Sequence, residues 1–135
     1  MSKKGKIMVK TIVDLLEQTE RKYNEKIAFS ETKKDITYRD FVMEAKKLGT
    51  ALASKTLFKK PVAIFLDKSI ECLYSMIGTV YSGNFYTIID TKMPQDRIDN
   101  IMEVLEPEVV ITEEKYKEKV KAFYRMEKFH GNPMA

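Results

Sequence analysis

The segment Tyr81-Ser82-Gly83-Asn84-Phe85-Tyr86-Thr87-Ile88-Ile89-Asp90 continues through Met93-Pro94-Gln95-Asp96-Arg97-Ile98 to Val109-Val110-Ile111-Thr112. In order, it holds a helix stop at Gly83, an apolar run ending in Asp90, a proline suited to a first helical turn, and a second apolar run. Apolar runs without alternation suit strands covered on both faces, and helical patterns between them suit parallel pairing. An earlier run, Pro61 to Leu66, has the same character, so strands begin near 62, 85 and 109. That spacing is a βα period fitted to right-handed crossovers. The fold class expected is α/β: a partial doubly wound, mostly parallel sheet of βα units.

Upstream of this period, Thr11 is placed to cap a first helix, with Asp14 in capping-box spacing and Ile12, Leu15, Leu16 and Tyr23 on one stripe. Lys26 to Ser30 reads as a short strand, and Glu31 to Asp35 as the turn of a hairpin returning through Ile36. A second helix starts near Thr37 with Tyr38, Phe41, Val42, Ala45, Leu48 and Leu52 on its apolar face. Ser69 caps a third, built on Ile70, Leu73, Tyr74, Ile77, Val80 and Tyr81. Ile98, Ile101, Met102 and Leu105 stripe a fourth helix, which Pro107 ends. A charged helix with Tyr116, Val120 and Phe123 follows from about Glu113.

Charge and composition narrow the function classes. The net charge of +4 comes from Lys3, Lys4, Lys6 and Lys10; outside them, bases and acids balance at 20 each. A solvated, frayed start explains this better than a nucleic-acid face, so no nucleic-acid partner is expected. No apolar run approaches the ~20 residues of a membrane span, and no secretory leader follows the N-terminal lysines. A single cysteine fits a reducing cytoplasm.

Candidate chemistry is sparse. Asp67 and Asp90 stand at the carboxyl ends of two apolar runs, where ligands enter open α/β sheets. Together they could hold Mg²⁺ as in phosphoacceptor signalling domains; as structure, each could cap a helix or bind turn amides. The structural reading is preferred, because no third acid and no suitably placed lysine stands out. His130, the only histidine, lies in a patternless tail with no nucleophile around it. Cys72, one residue off the third helix's core stripe, reads as a packed thiol. Tyr23, Tyr38, Tyr74 and Tyr81 read as core. Gly49 and Gly78 read as sites of close helix-to-sheet packing, and no glycine pattern of a dinucleotide or P-loop site occurs.

Five segments in order carry a resemblance. Ile36-Thr37-Tyr38-Arg39-Asp40-Phe41, Leu66-Asp67-Lys68-Ser69-Ile70-Glu71, Val80 to Asp90, Met93 to Ile98 and Pro107 to Thr112 resemble the early motifs of the adenylate-forming (AMP-forming) ligases. These include acyl-CoA synthetases, amino-acid adenylation domains and D-alanine-carrier ligases, and the amino-acid-activating branch looks nearer. Thr87-Ile88 replaces a usual Val-Pro, and Thr91 stands where a second proline is common. The resemblance implies an N-terminal fragment of an acid-activating ligase: a basic flexible start over 1–10, an α/β subdomain over 11–128 and an unstructured tail over 129–135. It implies ATP and Mg²⁺ in the parent family, but no position here matches a catalytic, cofactor-binding or metal-binding residue, so inactivity alone is expected. The expected partners are the remainder of the ligase, a carrier protein, or a second copy across an exposed sheet edge or apolar face. A non-catalytic carrier-docking module is the alternative.

Overall fold

The computed structural model describes residues 12–55 and 57–124. The basic start, the Thr11 cap and the tail containing His130 lie outside the described residues. Helix α1 (Ile12–Tyr23) leads into a hairpin of β1 (Ile27–Ser30) and β2 (Asp35–Thr37), paired antiparallel. Then follow α2 (Tyr38–Ala53), β3 (Pro61–Ile64), α3 (Ile70–Tyr81), β4 (Phe85–Ile88), α4 (Gln95–Leu105) and β5 (Val109–Ile111). A 3-10 turn (Glu114–Tyr116) and a short α5 (Lys117–Lys121) close the described chain.

The three later strands form a parallel sheet in the order β4-β3-β5, so the chain winds first to one side of β3 and then to the other. Alternate side chains of β3 serve two cores. Val62 and Ile64 join Leu48, Leu52 and Cys72 on the face covered by α2 and α3. Ala63 and the following Phe65 join Ile98, Met102 and Val120 on the face covered by α4 and α5. Helices on both faces make the sheet doubly wound, as its unbroken apolar strands require.

Local chemistry sets the helix ends. Thr37 accepts a hydrogen bond from the Asp40 amide, and Ser69 accepts one from the Cys72 amide; each satisfies a donor that the first turn leaves free. Gly83 ends α3 at φ 82°, and a Cβ there would lie 2.5 Å from the Phe58 ring, so both backbone and space call for glycine. In α4, Pro94 sits at the cap position. The stop is made by Glu106 in the left-handed conformation, with its N–H on the Met102 carbonyl, one residue before Pro107.

Three expectations need correction. Residues Phe85, Tyr86 and Ile88 of β4 are 56%, 37% and 40% exposed, although their run reads as a buried strand. β4 is an edge strand, and neither core cluster contains any of its residues, whereas β5 gives Val109 and Ile111 to one cluster and Val110 to the other. β5, at the opposite edge, buries every residue. The α1 stripe buries none of its residues, and Tyr23 is exposed rather than core, because α1 packs on α2 and α3 and not against the parallel sheet. Gly49 and Gly78 do permit close packing, but between α2 and α3 rather than between helix and sheet.

Candidate functional site

The carboxyl ends of β3, β4 and β5 bring three loops to one point, and Asp67 is the residue on which they meet. Its Oδ1 accepts from the Thr91 hydroxyl at 2.8 Å and from the Tyr116 hydroxyl at 2.6 Å. Its Oδ2 pairs with Lys115 Nζ at 3.2 Å. Lys119 Nζ donates to the Thr91 carbonyl at 2.6 Å, tying α5 to the same loop. Nearby, the buried Thr112 hydroxyl donates to the Phe65 carbonyl at 2.8 Å and closes the end of β5 against β3.

These donors favour the charged carboxylate. The Tyr116 and Thr91 hydrogen bonds, with Lys115 behind them, hold the Asp67 carboxyl down at about 2. The same bond raises the Tyr116 phenol, since ionising it would set two negative oxygens together.

Asp67 therefore does not cap α3; Ser69 does, while its own hydroxyl donates to the Asp67 carbonyl at 2.9 Å. Asp90 takes the turn-amide role: its Oδ1 accepts from the Lys92 amide at 2.9 Å. Both acids line one crevice with Cys72, Ile88 and Tyr116. The expectation that no lysine is suitably placed is overturned by Lys115, which the β5 loop delivers to Asp67. No local motif marks Thr91, Lys115 or Tyr116 as site residues. The one available signal was Thr91 standing where a proline was expected.

The set does not fit a divalent cation. Both Asp67 oxygens already have donors, a cation occupies the flank a second cation would need, and Asp90 is turned into its own loop. Among the described residues, no three His, Cys, Asp or Glu side chains are grouped as metal ligands. Cys72 is buried among Leu48, Val62 and Ile64, and burial pushes its thiol up, away from the reactive thiolate. Tyr74 is buried as expected, while Tyr38 and Tyr81 are half-buried.

Comparison with known proteins gives a consistent picture. Residues 16–133 match the model of a family described as AMP-binding enzyme. The D-alanine–D-alanyl carrier protein ligase of Staphylococcus epidermidis is 28% identical over 99 residues, covering 73% of this chain and 20% of that protein. Bacitracin synthase 2 of Bacillus licheniformis is 31% identical over 114 residues, covering 82% of this chain and 4% of that protein. The N-terminal subdomain of Klebsiella oxytoca NpsA superposes with a TM-score of 0.71 at 20% identity, over 78% of this chain and 28% of that one. The chain thus spans about a fifth of the length of the first of these relatives and far less of the second.

Proposed function

The chain belongs to the AMP-binding enzyme family, and from that premise we propose that it is the N-terminal βα portion of an AMP-forming acid-activating ligase, inactive by itself. In the parent reaction a carboxylate oxygen attacks the α-phosphorus of ATP, the bond to pyrophosphate breaks, and an acyl-adenylate forms. ATP with Mg²⁺ supplies the activated phosphorus and offsets its charge. The residues present do not fit that group. The observation that carries the reading is Asp67: the best-placed acid at the carboxyl ends has both oxygens committed to Thr91, Tyr116 and Lys115. Its chemistry is that of a strut joining three loops beneath a substrate site.

The names of the relatives support an amino-acid-activating parent and a carrier protein as its acceptor. The folding unit proposed is 11–128, between a basic start and a tail, and a buried, unactivated thiol suits a cytoplasmic setting. A second reading, a carrier-docking module without chemistry, is favoured by the exposed apolar side chains of β4. The remainder of a ligase, a carrier or a second copy would each cover them. ATP–pyrophosphate exchange with a panel of amino and fatty acids tests the main reading. Background rates are expected with every acid, and clear exchange with any of them would overturn it.

A further inference from the structure

We propose that β4 is a self-pairing edge: two copies of the chain join antiparallel along β4, about a two-fold axis through Thr87, into one continuous sheet. The backbone shows which groups are free to do this. Phe85 N donates to the Lys60 carbonyl at 3.1 Å, and Ile89 N to the Ile64 carbonyl at 2.9 Å. Residues of a parallel strand turn their N–H and C=O alternately to one side and the other. Phe85, Thr87 and Ile89 therefore serve β3. The N–H and C=O of Tyr86 and Ile88 point away from it, toward an edge with no partner strand among the described residues. No residue from Asn84 to Ile89 carries a charge, although charged side chains are a common means of blunting such an edge.

Both faces beside that edge are apolar. The register of β4 on β3 puts Tyr86 and Ile88 on the α2/α3 face with Val62 and Ile64, and Phe85 and Thr87 on the α4/α5 face with Ala63. On the first face Ile88 shares a groove with Phe29, Leu73 and Met76. On the second, Phe85 shares one with Ile101, Val104 and Leu105. A strand added here has apolar walls above and below it, so it must be apolar on both faces, and β4 itself is such a strand. An isologous pair also closes on itself, whereas a contact between β4 and a different edge continues into a ring or filament. Antiparallel pairing lets Tyr86 of each copy exchange both hydrogen bonds with Ile88 of the other, which uses the outward groups of both residues. Thr87 then faces Thr87 at a Cα separation of about 4.5 Å, as a pair lying between the hydrogen-bonded ones. The two Asp67 crevices go to opposite ends of the joined sheet, where neither blocks the other. The pairing stands apart from the ligase reading, and ATP–pyrophosphate exchange by the chain would leave it untouched.

Two measurements on the whole chain test this. Amide hydrogen exchange, read residue by residue, should slow roughly tenfold at Tyr86 and Ile88 between dilute and concentrated solution. Phe85 and Thr87, paired with β3 throughout, should stay unchanged. Thr87→Cys, oxidised with diamide, should give a disulfide-linked pair of chains, because the expected Cα separation of about 4.5 Å suits that bond. The parent, whose Cys72 is buried, and Met43→Cys on the exposed surface of α2 should give little. Tyr86 and Ile88 amides indifferent to concentration, Thr87→Cys linking no better than Met43→Cys, or a mass that grows past two copies would each overturn the two-fold pair. Should Thr87→Cys fail to fold, exchange of the parent's own amides decides.

Discussion

Gly78 of α3 faces Ala45 of α2 so closely that a Cβ at Gly78 would lie 2.7 Å from the Ala45 carbonyl oxygen and 2.9 Å from the Leu48 Cβ. The obstructing atoms are backbone and near-backbone, so they cannot rotate away. At Gly49 the added Cβ would meet Tyr81 Cβ at 3.0 Å and the Gly78 carbonyl at 3.1 Å, a tight contact but a less severe one. These two glycines set the distance between the helices that cover one face of the sheet.

Gly78→Ala is therefore expected to destabilise the fold. Alanine gains about 1 kcal/mol of helix propensity over glycine, while overpacking costs about 1–3 kcal/mol and here exceeds it. Gly49→Ala should cost less. Urea unfolding of both variants checks the order; a Gly78→Ala protein as stable as the parent would contradict the close approach.

The state of Asp67 gives an acid limb with a definite sign. Its carboxyl is held at about 2 against an ordinary 3.8. A depressed carboxyl stabilises the fold above the unfolded value and loses that contribution as pH falls through the folded one. The stability difference between the parent and Asp67→Asn should be constant above about pH 5 and shrink between pH 4 and pH 2. Because the side chain is 40% exposed, water screens it and the plateau is about 1 kcal/mol. Chemical unfolding at several pH values measures it, and a difference that persists undiminished at pH 2 would refute the assignment.

Tyr124 supplies the alkaline counterpart. Its hydroxyl donates to the Glu108 carbonyl at 2.7 Å and lies 3.2 Å from the Pro107 carbonyl, and burial pushes the phenol up to about 12. A raised phenol contributes stability that is complete below the unfolded value, near 10, and is lost as pH climbs toward 12. Tyr124→Phe should cost about 1 kcal/mol at pH 7 and flatten part of the loss above pH 10. Thermal unfolding across that range shows whether the alkaline limb changes.

The parts legible in the sequence were those written in short stretches. Thr37 and Ser69 precede helical stripes and do cap them, and the apolar runs at Pro61, Phe85 and Val109 are the three parallel strands. What escaped depends on residues far apart in the chain. Tyr116 lies 49 positions from Asp67, so periodicity could place each on an element but could not join them. The exposure of β4 escaped for a related reason. Its apolar run states what the strand can bury, and the equally apolar run of β5, also at an edge, is buried because both core clusters take it in while neither takes in β4.

That open side yields the last expectation. β4 pairs with β3 alone, so its other edge presents backbone donors and acceptors flanked by exposed Phe85, Tyr86 and Ile88. Unprotected apolar edges pair with whatever strand is available, and for an isolated chain that strand is a second copy. The mass from sedimentation velocity should rise with concentration. Ile88→Lys and Tyr86→Lys should each move it back toward a monomer by placing a charge where the pairing would bury one, with little change in fold because both positions are already exposed. Substitution at Met43, 49% exposed on α2, removes apolar surface away from β4 and should leave association nearly unchanged if strand pairing drives it. A parent chain that stays monomeric at every concentration would show that the short four-residue length of β4 already protects the edge.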